Sequence, residues 1–385
     1  MCEGCRAAPS PKMGRRNFLR LGGVCLAGAV LLGTTGGKAL AQSGSSLAEE
    51  FRSAATEYGV PVELLMAIGY TNTFWEMPPP TATAFEPGDL HGHGTYGVMQ
   101  LYQNPSRDTL GRAASLTQFS EQELKNDRAA NVRGGAAVLA DMAGSPDPDS
   151  LGGWREAVAE YGGVDFYAIE VFQTLKDGAS ATISTGESLR LVPQEVEVPA
   201  LTTSRSTSRA ANTDYPRAEW YPAARGNYGN SNREGSYNIN MIVVHTVQGP
   251  VSSGISTFQN PSSGVSAHYI VGNEGRVVQC VRHEDVGYHA GHLPTNKHCI
   301  GIEHGGKSAE RATWTKEKMR ASARLAAYCS KRHNIPLDRK HIIGHNEVPG
   351  CPNPGGGGLS CHTDPGPHFR WGEYMDFIKR YRRRM

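Results

Sequence analysis

The sequence predicts two folded regions of different class: a mostly α-helical domain at about residues 45–178, and an α/β domain at about 214–385 whose central mixed sheet is flanked by helices. In the first region apolar residues recur at helical spacing, and strand-like alternation is scarce. In the second, short apolar runs alternate with helical segments, which is typical of an α/β sheet. Residues 179–213 are predicted to be an extended linker, because the serine- and threonine-rich stretch around Thr202 lacks an apolar period. Within it, Leu189 to Leu201 shows some alternation and could pack locally as an edge strand.

Length and composition agree with a two-domain globular protein. The chain has 385 residues, of which 38% are hydrophobic and 20% charged. Its net charge of +2 gives no indication of nucleic-acid binding. Residues 1–41 hold six basic side chains and one acidic one, so the rest of the chain carries a net charge of −3 with histidine neutral. The sequence therefore does not support a polybasic membrane-binding segment, although Lys379 to Arg384 form a small basic tail.

The first 41 residues have the organisation of an export signal. Gly14 to Arg20 resembles the twin-arginine signal, an apolar stretch follows from Leu21 to Gly33, and Ala39-Leu40-Ala41 provides a cleavage site. We therefore expect export by the twin-arginine pathway, with no stable membrane anchor after cleavage. The alternative is a retained anchor helix, but the apolar run is short and rich in glycine.

The first domain is assembled from helical segments. They comprise Phe51 to Tyr58, Leu64 to Tyr70, Asn131 to Ala140 and Trp154 to Tyr161, with a turn at Gly59-Val60-Pro61. The second domain has strand candidates at Met241–His245, His268–Gly272, Arg276–Val281, Cys299–His304 and His341–Gly344. Its helix candidates are Gly254–Gln259, Lys316–His333 and Trp371–Tyr381.

Two strand candidates of the second domain end in histidine. Met241–Val244 leads to His245, and Ile342-Ile343 leads to His345. A loop rich in proline and glycine follows His345 and can return Asp364 to its side. Two imidazoles and one carboxylate make a plausible catalytic zinc set, because three protein ligands leave the fourth tetrahedral position for water.

Five cysteines remain beyond the signal segment, and an exported protein can form disulfides. Cys351 and Cys361 bracket the loop between His345 and Asp364, so we predict that they pair and fix its shape. The alternative, zinc binding by these two cysteines, is disfavoured because their separation is far from the CxxC spacing of structural zinc sites. One of the other three is expected to be free.

The first domain resembles the lysozyme-like fold of lytic transglycosylases. The resemblance depends on Leu64 to Ile68, on Tyr96-Gly97-Val98-Met99-Gln100-Leu101, on Asn131 to Ala136, and on Trp154 with Tyr161-Gly162. In that family a glutamate acts as general acid where this chain has Asn72, and an amide cannot donate the proton. Glu76, one helical turn later, could replace it, but we favour a surface role for Glu76. The domain is therefore expected to be a degenerate glycosidase that holds glycan strands or serves as a structural partner.

The second domain resembles the zinc-dependent N-acetylmuramoyl-L-alanine amidases, which share their fold with peptidoglycan recognition proteins. The matching segments, in order, are Val243 to Thr246, Val265 to Tyr269, Tyr288 to Gly291 (with Tyr288 for the family's tryptophan), Ile300 to Glu303, Ile343 to Pro349, and His362 to Pro367. Their joint order is highly specific, although the Cys351–Cys361 stretch is longer than the usual connection.

The resemblance implies a reaction and roles for five residues. The bond is the amide between N-acetylmuramic acid and L-alanine of the stem peptide. His245, His345 and Asp364 would hold Zn²⁺, Glu303 would move the proton, and His362 would stabilise the oxyanion where the family often has lysine. We expect a secreted, monomeric enzyme of the cell wall or periplasm whose partner is peptidoglycan.

Two alternatives belong to other classes: a non-catalytic peptidoglycan-binding protein, and a bifunctional enzyme that also cuts glycan. The first would need a lost ligand, and the second would need an acid such as Glu76. The roles of the other histidines are left open by the sequence, and His289 could contact substrate. The rest, His268, His292, His298 and His304, are expected to lie behind the site or on the surface.

Overall fold

The computed structural model describes residues 45–88, 92–144, 150–199, 213–229, 233–349 and 362–385. Residues 45–385 form one compact unit. The predicted signal segment, residues 200–212 of the predicted linker, and the cysteines Cys351 and Cys361 lie outside the described residues. In the ranges given above, no helix is both long and apolar enough to cross a membrane.

The first region is mostly helical, as expected. Its described helices are α1 (Leu47–Tyr58), α2 (Val62–Thr73), α3 (Thr109–Thr117), α4 (Glu121–Asn126), α5 (Arg128–Ala143), α6 (Arg155–Gly162) and α7 (Asp165–Asp177). Helix α1 begins at Ser46, whose hydroxyl accepts from the Glu49 amide in a capping box, and ends at Gly59 with φ +67°. A short antiparallel pair, β1 (Thr95–Tyr96) and β2 (Leu101–Tyr102), lies between α2 and α3.

The start of the predicted linker is folded, which corrects the boundary at residue 179. Strands β3 (Ala179–Thr182) and β4 (Ser188–Leu191) pair as an antiparallel hairpin. Ile183, Leu189 and Leu191 are buried in the core of the helical region. Burial of these three side chains holds the hairpin against the helices, despite the many polar residues around them.

The second region contains the predicted mixed sheet. Its strands are β5 (Ala218–Trp220), β6 (Tyr228–Gly229), β7 (Met241–Val244), β8 (Tyr269–Val271), β9 (Val277–Gln279), β10 (Val286–Gly287), β11 (Cys299–His304) and β12 (Ile342–Gly344). Six of them form one sheet in the order β12-β7-β11-β8-β9-β5, in which only the β8–β9 pair is antiparallel. Strands β6 and β10 pair separately.

Helices cover both faces of this sheet, as predicted. They are α8 (Arg233–Ser236), α9 (Val251–Gln259), α10 (Leu293–His298), α11 (Lys316–His333) and α12 (Trp371–Arg382). Alternate strand residues point to opposite faces, so Tyr269 and Val271 pack with α11 and α12. Ile270 packs on the other face with α9 and with Phe166 of α7. The helical region therefore contributes directly to the core on one face of the sheet.

Candidate active site

Three neighbouring parallel strands bring predicted site residues to the same level. In the register of the sheet, Val244 of β7 lies opposite Ile302 of β11 and Gly344 of β12. The next residues along these strands are His245, Glu303 and His345. Because the strands are parallel and adjacent, these three side chains meet at the carboxyl edge of the sheet, where sites in α/β folds usually form.

Asp364 joins this group from the loop after β12. Its Oδ1 lies 3.1 Å from His345 Nδ1, and its Oδ2 lies 3.5 Å from His245 Nδ1. Backbone contacts hold the loop in place, because the Thr246 amide donates to Asp364 Oδ2 at 3.2 Å and the Asn346 amide donates to the Asp364 carbonyl at 2.9 Å. The structure thus brings together all three predicted ligands.

The spacing of these side chains suits one metal ion. Candidate ligand atoms of His245, His345 and Asp364 all lie within 4.8 Å of one another. Tetrahedral zinc with bonds of about 2.0–2.1 Å places its ligand atoms about 3.3 Å apart, close to the 3.1 and 3.5 Å contacts of Asp364. Burial, followed by the charge of His345, lowers the pKa of His245 to about 3. His245 is therefore neutral, as a metal ligand must be.

In the described part of the chain, several buried polar groups of the cluster have no hydrogen bond or lie near a like charge, so a cation would stabilise them. Glu303 is fully buried, with Oε1 3.7 Å from His245 Nδ1. Among the described residues, neither oxygen of Glu303 nor His245 Nδ1 forms a hydrogen bond. A buried polar atom left in this way costs about 1–3 kcal/mol. Burial and the charge of Asp364 raise the pKa of Glu303 well above its ordinary value. A divalent cation among these groups would offset both the missing hydrogen bonds and the repulsion between the two carboxyl groups.

His362 lies at the open side of the cluster. Its ring stacks on that of His345, with centroids 3.5 Å apart and planes at 17°. It is partly exposed, whereas His345 beneath it is buried. His362 is therefore placed where a side chain could reach both the buried cluster and a molecule arriving from solvent.

His289 does not have the exposure expected of a substrate contact. It is 2% exposed, and its Nδ1 lies 2.9 Å from His245 Nε2. Its Nε2 lies 3.5 Å from Cys299 Sγ. Because His245 Nδ1 faces the cluster, its Nε2–H donates to His289 Nδ1, and the His289 Nε2–H is then directed to Cys299. His289 therefore orients a candidate ligand from behind, and its burial favours this role over a contact with substrate.

His304 holds the backbone of the same ligand. Its Nδ1–H donates to the His245 carbonyl at 2.7 Å, and its Nε2 accepts from Ser322 Oγ at 2.7 Å. Ser322 Oγ in turn lies 2.8 Å from the Tyr374 hydroxyl. This network connects His245 to α11 and α12. In the sequence, the only indication of this role is that His304 directly follows Glu303. That position predicts that His304 lies near the site, but it does not predict the hydrogen bonds of its ring.

Comparison with known proteins identifies the family. Residues 235–367 match the N-acetylmuramoyl-L-alanine amidase family. N-acetylmuramoyl-L-alanine amidase A of Achromobacter lyticus is 32% identical in an alignment of 183 residues that covers 43% of this chain and 95% of that protein. The chain therefore belongs to the N-acetylmuramoyl-L-alanine amidases, and its activity is that of a peptidoglycan amidase.

Two solved structures are also similar to this chain. The selenomethionine derivative of AmpD is 22% identical, covers 43% of this chain and 96% of its own, and has a TM-score of 0.34. The hydrolase AmiA of Staphylococcus aureus, in complex with its ligand, is 16% identical, covers 48% and 91%, and has a TM-score of 0.35. The helical region lies outside residues 235–367, and its likeness to transglycosylases stays a prediction.

Proposed function

We propose that this amidase depends on one zinc ion held by His245, His345 and Asp364, and that it cleaves the amide between N-acetylmuramic acid and L-alanine of the stem peptide. The main support is the convergence of three buried ligand atoms within 4.8 Å at the carboxyl edge of the sheet. Bound zinc supplies a water of lowered pKa and polarises the substrate carbonyl.

Glu303 is the proposed proton carrier. It lies beside His245 on the adjacent strand, and its carboxyl group has no hydrogen bond among the described residues that would compete for a proton. It can accept a proton from the attacking water and return it to the nitrogen of L-alanine when the amide breaks. General acid–base catalysis of this kind contributes about 10²–10⁴-fold in rate.

His362 is the proposed donor to the oxyanion. Its stacking on His345 fixes the ring plane at the mouth of the cluster, and its partial exposure leaves room for substrate. A ring N–H in that position can stabilise negative charge on the carbonyl oxygen as the tetrahedral centre forms.

The helical region is proposed to be non-catalytic. Asn72, where a transglycosylase would have its acid, is buried, donates to the Met99 carbonyl at 2.9 Å and accepts from the Tyr167 hydroxyl at 2.8 Å. Glu76 accepts from the amide and hydroxyl of Ser184 at 2.7 and 2.6 Å. Both side chains have structural partners, which favours a single amidase activity over a bifunctional enzyme.

Export and the disulfide complete the proposal. The chain is secreted by the twin-arginine pathway to the cell wall or periplasm, where Cys351 and Cys361 pair in the oxidising environment. A secreted product that begins at Gln42, and a peptide map with a Cys351–Cys361 crosslink, are the expected observations. A product that retains Arg15 and Arg16, or free thiols at both cysteines, would overturn these two parts.

Mass spectrometry of the products from purified muropeptides tests the chemistry. The mature chain should release stem peptides with a free L-alanine amine, lose this activity with a chelator, and regain it with zinc. Full activity in the chelator would overturn the zinc assignment. Tight binding without cleavage would favour the non-catalytic alternative, and anhydromuramic products would show that the helical region still cuts glycan.

A further inference from the structure

A cluster of positive charge lies at the ends of α11 and α12. Five of the six residues from Lys379 to Arg384 are lysine or arginine, and only Arg382 among the five is partly buried. Within the described part of the chain, none of these five forms an ion pair with a carboxylate. Helix α11 adds Lys331 and Arg332 in its last turn. These seven side chains define what we call the basic end.

The two helices place their charges side by side. Lys331 Nζ donates to the Met385 carbonyl, so the last turn of α11 touches the end of the chain. Arg332 is the member of the basic end that pairs with an acid, Asp214, at 3.4 Å. The exposed acid nearest in sequence, Asp376, lies about one helical turn before Arg380. The charge of the basic end is therefore only partly compensated, although residues 42–385 carry a net negative charge.

The basic end lies opposite the active site. Strands β11 and β12 both run parallel to β7, so α11, which connects them, returns from the carboxyl edge of the sheet to the amino edge. Helix α12 runs beside α11 in the same direction, because Arg320 lies over Phe377 and Arg324 over Tyr381. Both helices thus begin near the catalytic edge and end far from it, and α11 with 18 residues spans about 27 Å.

We propose that the basic end binds the surface of an anionic phospholipid membrane and that this binding turns the active site away from the bilayer. Clusters of four to eight lysines and arginines bind anionic lipid surfaces, each contributing about fivefold to the partition coefficient. The basic end is an exposed helix tip rather than a groove, so it fits a plane better than a polymer strand. A membrane at this end leaves the opposite edge free for peptidoglycan. The contact is reversible and adds no anchor.

Vesicle co-sedimentation tests this proposal independently of catalysis. The mature chain is mixed with vesicles of phosphatidylglycerol and phosphatidylcholine in a 3:7 ratio, in low and high salt, and compared with a variant carrying Arg380→Gln, Arg383→Gln and Arg384→Gln. A control carries Arg52→Gln, Lys176→Gln and Arg190→Gln, three exposed residues of the helical region. Three lost charges should lower partitioning by about 100-fold at low salt, whereas the control should bind as the parent does.

Further measurements establish what the basic end binds and whether the active site faces away from the bilayer. Binding should disappear in high salt and be absent with pure phosphatidylcholine vesicles. Equal partitioning of the variant and the control, or no binding of the parent chain, would overturn the proposal. So would binding to soluble polyphosphate but not to vesicles. Hydrolysis of soluble muropeptides should be the same for both variants and should continue when the parent is vesicle-bound. Inhibition by vesicles would refute the stated orientation.

Discussion

Gly301→Ala should weaken the metal site without touching a candidate ligand. Gly301 lies on β11, two residues before Glu303, and the ring of His289 packs directly on it. A Cβ added at Gly301 would lie 2.5 Å from both Cδ2 and Nε2 of His289. The backbone of Gly301 is not left-handed, so alanine is permitted there and the contact with His289 decides the outcome.

The expected losses of stability and of metal affinity follow from the distances between Gly301 and His289. Ordinary contact with a Cβ begins at 3.4 Å, so the His289 ring must move by roughly 1 Å, and overpacking of this kind costs about 1–3 kcal/mol of stability. The His289–His245 hydrogen bond is 2.9 Å long, and a ring shift of that size would disturb its length or angle. Losing the partner that orients a metal-bound histidine typically costs about 10–100-fold in metal affinity or activity, which corresponds to about 1.4–2.7 kcal/mol.

The assay is competition for zinc between the protein and a chromophoric chelator, followed by thermal unfolding and kcat/KM on muropeptides. Gly226→Ala is the matched control, because no atom lies within 4 Å of the Cβ it would add. Gly301→Ala should bind zinc about 10–100-fold more weakly, while Gly226→Ala should match the parent. If Gly301→Ala melts earlier but keeps the parental zinc affinity, then His289 serves packing only and the argument fails.

Three further predictions concern catalysis and the helical region. Glu303→Gln should lower kcat by about 10²–10⁴-fold while zinc content, measured by elemental analysis, stays at the parental level; substantial residual hydrolysis would exclude Glu303 as proton carrier. Burial raises the pKa of Glu170 to about 7 despite hydrogen bonds from Ser252 and Val251, so folding stability should fall as pH rises from about 4.5 through 7. Glu170→Gln should flatten that slope in thermal unfolding, and an unchanged slope would contradict the assignment. A fragment of residues 213–385 should unfold at lower temperature and be less active than residues 42–385, whereas higher activity would show that the helical region inhibits.

Much of the catalytic edge could be predicted from the sequence because its residues end local apolar runs. Met241–Val244 and Ile342-Ile343 are short and strongly apolar, so the histidine after each run had to lie at a strand end. Glu303 was conspicuous for a related reason, since a carboxylate inside an apolar strand demands a special environment. The mixed sheet follows from the same runs combined with the intervening helices.

What escaped prediction depends on contacts between residues distant in sequence. The alternation that begins at Leu189 indicates an edge strand at most, and only packing on the helices distinguishes a buried hairpin from a polar linker. The position of His289 depends on Gly301, which leaves space for its ring. No local pattern states that a glycine in one strand leaves room for a histidine from another segment.

The helical region contributes to the amidase site through the chain that follows His245. His93 Nε2 lies 2.8 Å from the Val247 carbonyl, and Glu170 accepts from the Val251 and Ser252 amides at 2.8 and 3.0 Å, where α9 begins. The segment after β7 is therefore held by two parts of the helical region: the irregular stretch that contains His93, and α7, which contains Glu170. Backbone N–H groups in the first turn of a helix have no intrahelical acceptor. The Glu170 carboxyl group supplies the hydrogen-bond acceptor for two such groups of α9. The helical region therefore has a structural role: through His93 and Glu170 it supports the segment that follows the candidate ligand His245.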